Sequence, residues 1–267
     1  MPSDPLIRTR YAAGVARLTL DSPANRNALS SGLIAQLLSA LHAAVTDESV
    51  RVVLIDHTGP VFCSGADLRE TAAATAGGTP GGTPGSALPA GRLGELLLAV
   101  WGCPKPVVAR IGGPVRAGGL GLVAAADIAV CAATATFAAT EVRLGVVPAV
   151  ISATVLRRLS PRAAAELYLT GEVIGGDRAA QIGLVTAAVP ADELDDAVAG
   201  YLSGLIRGAP GALAATKQLL HAQQPADLAD ALVTLTELSV QHFGSPEGIE
   251  GISAYRDKRN PSWIPRG

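Results

Sequence analysis

One acid and two turns of small residues are the parts of this 267-residue sequence best suited to chemistry. The acid, Glu141, ends the stretch 111–141, IGGPVRAGGLGLVAAADIAVCAATATFAATE. Within it, Gly118 and Gly119 open a small-residue helix. Lacking Cβ atoms, they leave their backbone N–H groups open to a ligand, and the helix dipole favours negative charge there. A second turn, FCSGADL over residues 62–68, ends one strand-loop and opens a short helix at Ala66. Adjacent parallel strands leading into both turns bring the amides of Ala66 and Gly118 together at the carboxyl edge of the sheet, where ligands of open α/β sheets bind. Two donors on one oxygen stabilise charge that develops there during reaction, by about 3 kcal/mol per donor in acyl transfer. A thioester oxygen held in this way gains negative charge as the neighbouring carbon becomes enolate-like. Close helix–strand packing also selects glycine and alanine at such positions, and a surface acid after a strand is the plain reading of Glu141.

Other chemistries fit less well. The four histidines and three cysteines lack metal-ligand spacing, so no metal is expected. Ser64 follows Cys63 and precedes Gly65 without the full G-x-S-x-G pattern of a serine nucleophile. Residues 113–119 have the glycine spacing of a P-loop but neither its lysine nor its Ser/Thr. Residues 119–124, GLGLVA, fit G-x-G-x-x-A, with Glu141 at a distance suited to a ribose hydroxyl. A dinucleotide fingerprint should follow its strand at once, however, and here seven residues intervene.

Composition narrows the class. With 49% hydrophobic residues the chain can bury one large core. A net charge of −2 with dispersed basic residues excludes the basic face that nucleic acid requires. Three cysteines at wide spacing point to a reduced, cytoplasmic protein, and no signal peptide opens the chain. Residues 117–140 come nearest to a membrane span, but Asp127 in their middle costs about 2.5–3.5 kcal/mol on insertion. No membrane association is expected.

The elements that must position these residues follow from periodicity. Strands are predicted over 6–11 and 14–20 as a hairpin, then over 51–56 and 106–111 as buried runs, and over 128–131, 134–138 and 184–189. A helix capped by Ser30 or Ser31 carries Leu33, Ile34, Leu37, Leu38, Leu41 and Val45 at helical spacing. Further helices are predicted over 91–101, 152–159, 161–170, 176–182, 192–207, 211–221, 226–242 and 246–258, the last started by Ser245 and Pro246. Alternating strands and helices argue a parallel α/β core with right-handed crossovers. It spans residues 1–190, with a helical region over 191–267. Residues 71–90, rich in Gly, Pro, Thr and Ala, read as a mobile surface loop or lid.

Taken in order, several blocks resemble the crotonase, or enoyl-CoA hydratase/isomerase, family along essentially the whole chain. They are Asn27-Ala28-Leu29, FCSGADL over 62–68, the block from Lys105 to Gly119, Asp127-Ile128, and Phe137 through Glu141 to Pro148. Leu169-Thr170-Gly171 and AQIGLV over 180–185 complete the set. The resemblance implies a spiral of ββα units with a C-terminal helical trimerisation region, assembled as a homotrimer or a dimer of trimers. It implies an acyl-CoA thioester as substrate and no metal or redox cofactor, coenzyme A being part of the substrate. The family's oxyanion donors map to Ala66 and Gly118. Its CoA-contacting loops map to Arg26, Ala28, Ser64, Ala66, Asp67 and Leu68, while Tyr255 and Lys258 match C-terminal positions that reach a neighbour's CoA.

At one place the sequence departs from the hydratase. Two glutamates flank the enoyl group there, one activating water and one delivering the proton. Glu141 matches the second, whereas the first falls on Gly121. Paired carboxylates let one group take a proton while the other gives one, so a lone acid suits proton transfer between two carbons of the same chain. Family frequency puts hydration of a 2-enoyl-CoA first, as in fatty-acid or related acyl-CoA degradation. Double-bond isomerisation by Glu141 is the alternative, and a weakly active acyl-CoA-binding protein the third. Arg116 and Arg143 stand where the family has apolar residues; they read as solvated side chains in preference to a clamp for an acyl carboxylate.

Overall fold

The structure, a computed structural model, describes residues 5–70, 89–222 and 228–262. The expectation for 71–90 falls mostly outside them. Alternating burial in β2 (Val15–Leu20) sends Ala16, Leu18 and Leu20 inward, and β1 (Ile7–Ala12) pairs with it antiparallel as the predicted hairpin. β3 (Val52–His57), β4 (Val107–Ile111), β6 (Ile128–Ala132) and β9 (Ala187–Val189) then add in parallel, giving the six-stranded order β1-β2-β3-β4-β6-β9. Both faces of this sheet are covered, which explains its near-continuous apolar strands. On one side lies the main core, under α1 (Ser31–Thr46), α2 (Pro89–Trp101) and α3 (Gly118–Ala125). On the other, Val52, Leu54, Val108 and Val130 meet Leu194 and Val198 of α7 (Leu194–Ile206).

A second sheet was not legible in the sequence. It joins β5 (Val115–Arg116), β7 (Thr136–Ala138) and β8 (Ile174–Gly175) in the order β5-β7-β8. β7 is the strand expected over 134–138, but β5 and β8, at two residues each, carry no period to detect. After β7 the chain makes a 3-10 turn (Glu141–Leu144), then α4 (Ala149–Val155), α5 (Pro161–Thr170) and α6 (Gly176–Gln181). The helix expected over 152–159 starts three residues early, because Pro148 at its N-cap pre-sets the first turn. The C-terminal helices are α8 (Pro210–Ala222), α9 (Leu228–Phe243) and α10 (Pro246–Arg256). Ser30 and Ser245 cap their helices as expected, accepting from Leu33 N (3.2 Å) and Gly248 N (3.0 Å). No described helix is long and apolar enough to cross a membrane.

Two polar residues, Asn27 buried and Asp127 half-buried, tie distant segments together. Asn27, in a left-handed conformation, donates to Thr58 O (3.0 Å) and Val61 O (2.8 Å) and accepts from Ser22 N (2.7 Å). Its buried polar atoms are thus satisfied. Asp127 accepts from Val107 N and from Lys217 Nζ, both at 2.7 Å, so α8 is tied to the start of β4.

Candidate active site

β3 and β4 are neighbours, so the loops that leave their carboxyl ends run side by side. Phe62 N donates to Pro114 O (3.1 Å) and Arg116 N to Cys63 O (2.9 Å), which zips the first loop onto the second. Gly65 at φ +91° turns its carbonyl to Leu29 N (2.8 Å), leaving the Ala66 amide facing the other way. The expected helix at Ala66 is displaced: Ala66 bridges to Leu29, and Asp67 caps a turn over 68–70 by accepting from Arg69 N (2.9 Å).

Ala117 makes the matching bend on the second loop, at φ 46° and ψ −119°, a combination that side chains rarely adopt. Contact between the loops is close. A Cβ on Gly65 would stand 3.4 Å from Gly118 N, and one on Gly118 would stand 3.7 Å from Ala66 N. Among the described residues neither amide has an acceptor, and both residues border one cavity of about 430 Å³.

Glu141 lines the same cavity from the first position of its 3-10 turn. The residue is 8% exposed, and its buried Oε2 has no hydrogen-bond partner. Burial penalises the charged form and pushes its pKa up to about 7. The facing wall is apolar, with Leu93, Leu144, Val146, Val147, Val150 and Ile151. Gly121 is buried behind it, and a Cβ there would come within 2.9 Å of Ile151 Cγ2 and 3.1 Å of Leu97 Cδ1. A longer side chain therefore needs the wall to move.

A second cavity of about 670 Å³ shares Arg26, Ser64, Ala66, Leu68 and Tyr255 with the first and adds Ala28 and Asp67. The structure thus gathers most of the residues assigned to CoA along one continuous cleft. The two C-terminal residues lie apart. Lys258 borders neither cavity of this chain; it lies past the end of α10, exposed, at φ +54°. Tyr255 borders the cleft of its own chain, because α10 packs against the 3-10 turn that carries Glu141.

The arginines divide. Arg116, half-buried, donates to Val115 O (2.9 Å), Thr136 O (2.8 Å) and Thr136 Oγ1 (2.9 Å), a tie within the protein where a solvated side chain was expected. Arg143 is exposed, in keeping with the solvated reading, and reaches Glu172 (2.6 Å) and Thr170 O (3.3 Å) at the surface. Sequence reasoning missed Ser239 and Phe243, which line the cavity from α9. Their signal is the stripe Leu228, Leu232, Ser239, Phe243, which keeps one helical face.

Known proteins match this chain over most of its length. The family model for enoyl-CoA hydratase/isomerase covers residues 10–266. The rat enoyl-CoA hydratase domain-containing protein 3, mitochondrial, is 30% identical over 97% of this chain and 84% of its own. The 2,3-dehydroadipyl-CoA hydratase of Escherichia coli is 32% identical over 93% and 94%. Among solved structures, an enoyl-CoA hydratase from Mycobacterium avium superposes with a TM-score of 0.84 at 42% identity, over 98% of this chain and all of that one. The crotonase fold, with its C-terminal helices, is common to them, and the chain belongs to the enoyl-CoA hydratase/isomerase family.

Proposed function

We propose that the protein shifts the double bond of an enoyl-CoA thioester by single-acid proton transfer. The observation that carries this reading is one buried carboxyl, Glu141, in a cavity onto which two unpaired amides also open. The Glu141 carboxylate takes a proton from C2 of a 3-enoyl thioester. The electron pair moves onto the thioester oxygen, where Ala66 N–H and Gly118 N–H stabilise it. The same carboxyl, now protonated, returns its proton to C4, and the product is the conjugated 2-enoyl thioester. A group that titrates at about 7 serves as base and acid in turn near neutral pH. Arg26, Ala28, Ser64, Asp67, Leu68 and Tyr255 hold the CoA moiety along the cleft in this reading.

Hydration of a 2-enoyl-CoA is the second reading, favoured by the names of the relatives. It needs a second proton-handling group, and the site that the resemblance gives it, Gly121, is walled by Ile151 and Leu97. Incubation with 2-enoyl and 3-enoyl thioesters separates the readings. Isomerisation creates the conjugated absorbance from a 3-enoyl substrate, hydration removes it from a 2-enoyl one, and a weakly active acyl-CoA-binding protein does neither while still saturating with acyl-CoA. Glu141→Gln should abolish turnover and leave CoA affinity largely intact. Unchanged turnover removes Glu141 from the mechanism.

A further inference from the structure

Two buried polar atoms near the site lack partners, and they lie on elements packed against each other. One is Glu141 Oε2, on the 3-10 turn; the other is the hydroxyl of Tyr168, on α5. Buried polar groups are almost always hydrogen-bonded, and two orphans on packed elements are a joint departure from that rule. Tyr168 does not line the cavity. It packs into the main core behind the turn, where Glu141 acts electrostatically on it. Ser152 stands beside the tyrosine; its Oγ donates to Pro148 O (2.7 Å) and keeps lone pairs free to accept, so it competes with Glu141 for the tyrosine hydroxyl.

The other ionisable groups around the turn are committed elsewhere. Arg143 is engaged by Glu172, Glu166 of α5 by Arg178, and Glu250 of α10 by Arg259. Arg116 is held by Thr136. Arg162, Glu247, Tyr255 and Arg256 are exposed to solvent.

We propose that Tyr168 is a positioning residue for Glu141, its hydroxyl donating to Oε2 so that the other carboxyl oxygen is aimed at the substrate. Such bonds are often long in the free protein and tighten when substrate binds. Donation to the charged form favours the carboxylate and opposes the effect of burial. Tyr168 therefore sets how much of the base is charged at neutral pH. The proposal rests on Glu141 as the proton carrier and adds the group that tunes it.

The test follows the titration of Glu141 itself by carbon-13 NMR of carboxyl-labelled glutamate in the whole protein, its resonance identified by loss in Glu141→Gln. Tyr168→Phe should move the midpoint up by about one pH unit, a tenfold fall in carboxylate below it, and carry the acid limb of kcat/KM with it. A lost packing contact alone would lower Tm without moving either. If Tyr168→Phe does not fold, 3-fluorotyrosine at position 168, a stronger donor, should move the midpoint down. An unmoved midpoint in either variant overturns the proposal. The NMR readout needs no turnover, so it stands apart from the activity of Glu141→Gln, whose persistence would sink only the proton-carrier reading.

Discussion

Replacing Glu141 by glutamine should stabilise the protein at alkaline pH while removing its activity. The carboxyl is buried, and burial raises its pKa from 4.5 to about 7. The folded state therefore binds a proton more readily than the unfolded state between these values. Stability from this group is fully present below about 4.5, and it is lost as the pH rises through about 7. At ~1.4 kcal/mol per pH unit, the charged form destabilises the fold by about 3 kcal/mol above pH 7. Glutamine carries no charge at any pH, so Glu141→Gln should match the wild type near pH 4.5 and exceed it by up to that amount at pH 8.5. For a chain of this size the gain corresponds to a rise in Tm on the order of 6–9 °C. Urea unfolding of both proteins in buffers from pH 4.5 to 8.5 reads the difference directly. Parallel stability curves across that range would refute the argument, because they would mean that Glu141 titrates like a solvent-exposed acid.

Two further predictions concern the shape of the site. Ala117→Gly should raise stability by up to about 1 kcal/mol by thermal or urea unfolding, since a strained φ/ψ of this kind costs about 1–3 kcal/mol and glycine returns part of that as chain entropy. Gly121→Ala should destabilise by about 1–3 kcal/mol through contact with Ile151 and Leu97, and pairing it with Ile151→Ala, which removes the contacting Cγ2 methyl, should cost less than the sum of the two single losses. Additive losses in the double variant would show that Ile151 is not the obstacle.

The frame was legible in the sequence because its signals are local and periodic. The hairpin, the buried strands at β3 and β4, and the Ser30 and Ser245 caps each rest on a few neighbouring residues. The meeting of Ala66 with Gly118 also followed, since parallel pairing of β3 with β4 requires their following loops to be adjacent. What could not be read is whatever depends on where side chains end. Arg116 looked like a solvated charge until Thr136, twenty residues on, proved to hold it. Of the β5-β7-β8 sheet only β7 was foreseen, as the strand expected over 134–138; β5 and β8 escaped for want of length.

The site is assembled from features that cost stability, and the surrounding structure is correspondingly rigid. Ala117 is strained, Glu141 is a buried acid, and the amides of Ala66 and Gly118 are unpaired. Left to relax, each would do so by the same motion, a drift of the two loops apart that admits water to the cavity. That motion is opposed at several points. Asn27 spends its three hydrogen bonds holding residues 58–61 against 22–27, and the ladder from Cys63 to Arg116 locks the loops to each other. Gly65 and Gly118 admit no filler between them, because a side chain on either would meet Ala117 or Leu29 within about 3 Å. Donors preorganised in this way need not reorient when charge develops, which is the condition for their strength in a transition state. The same rigidity bears on the proposed reaction: Ile151 presses against Gly121, Glu141 is the one acid among the described residues that line the cavity, and in that reading the group that takes a proton from one carbon returns it to the other.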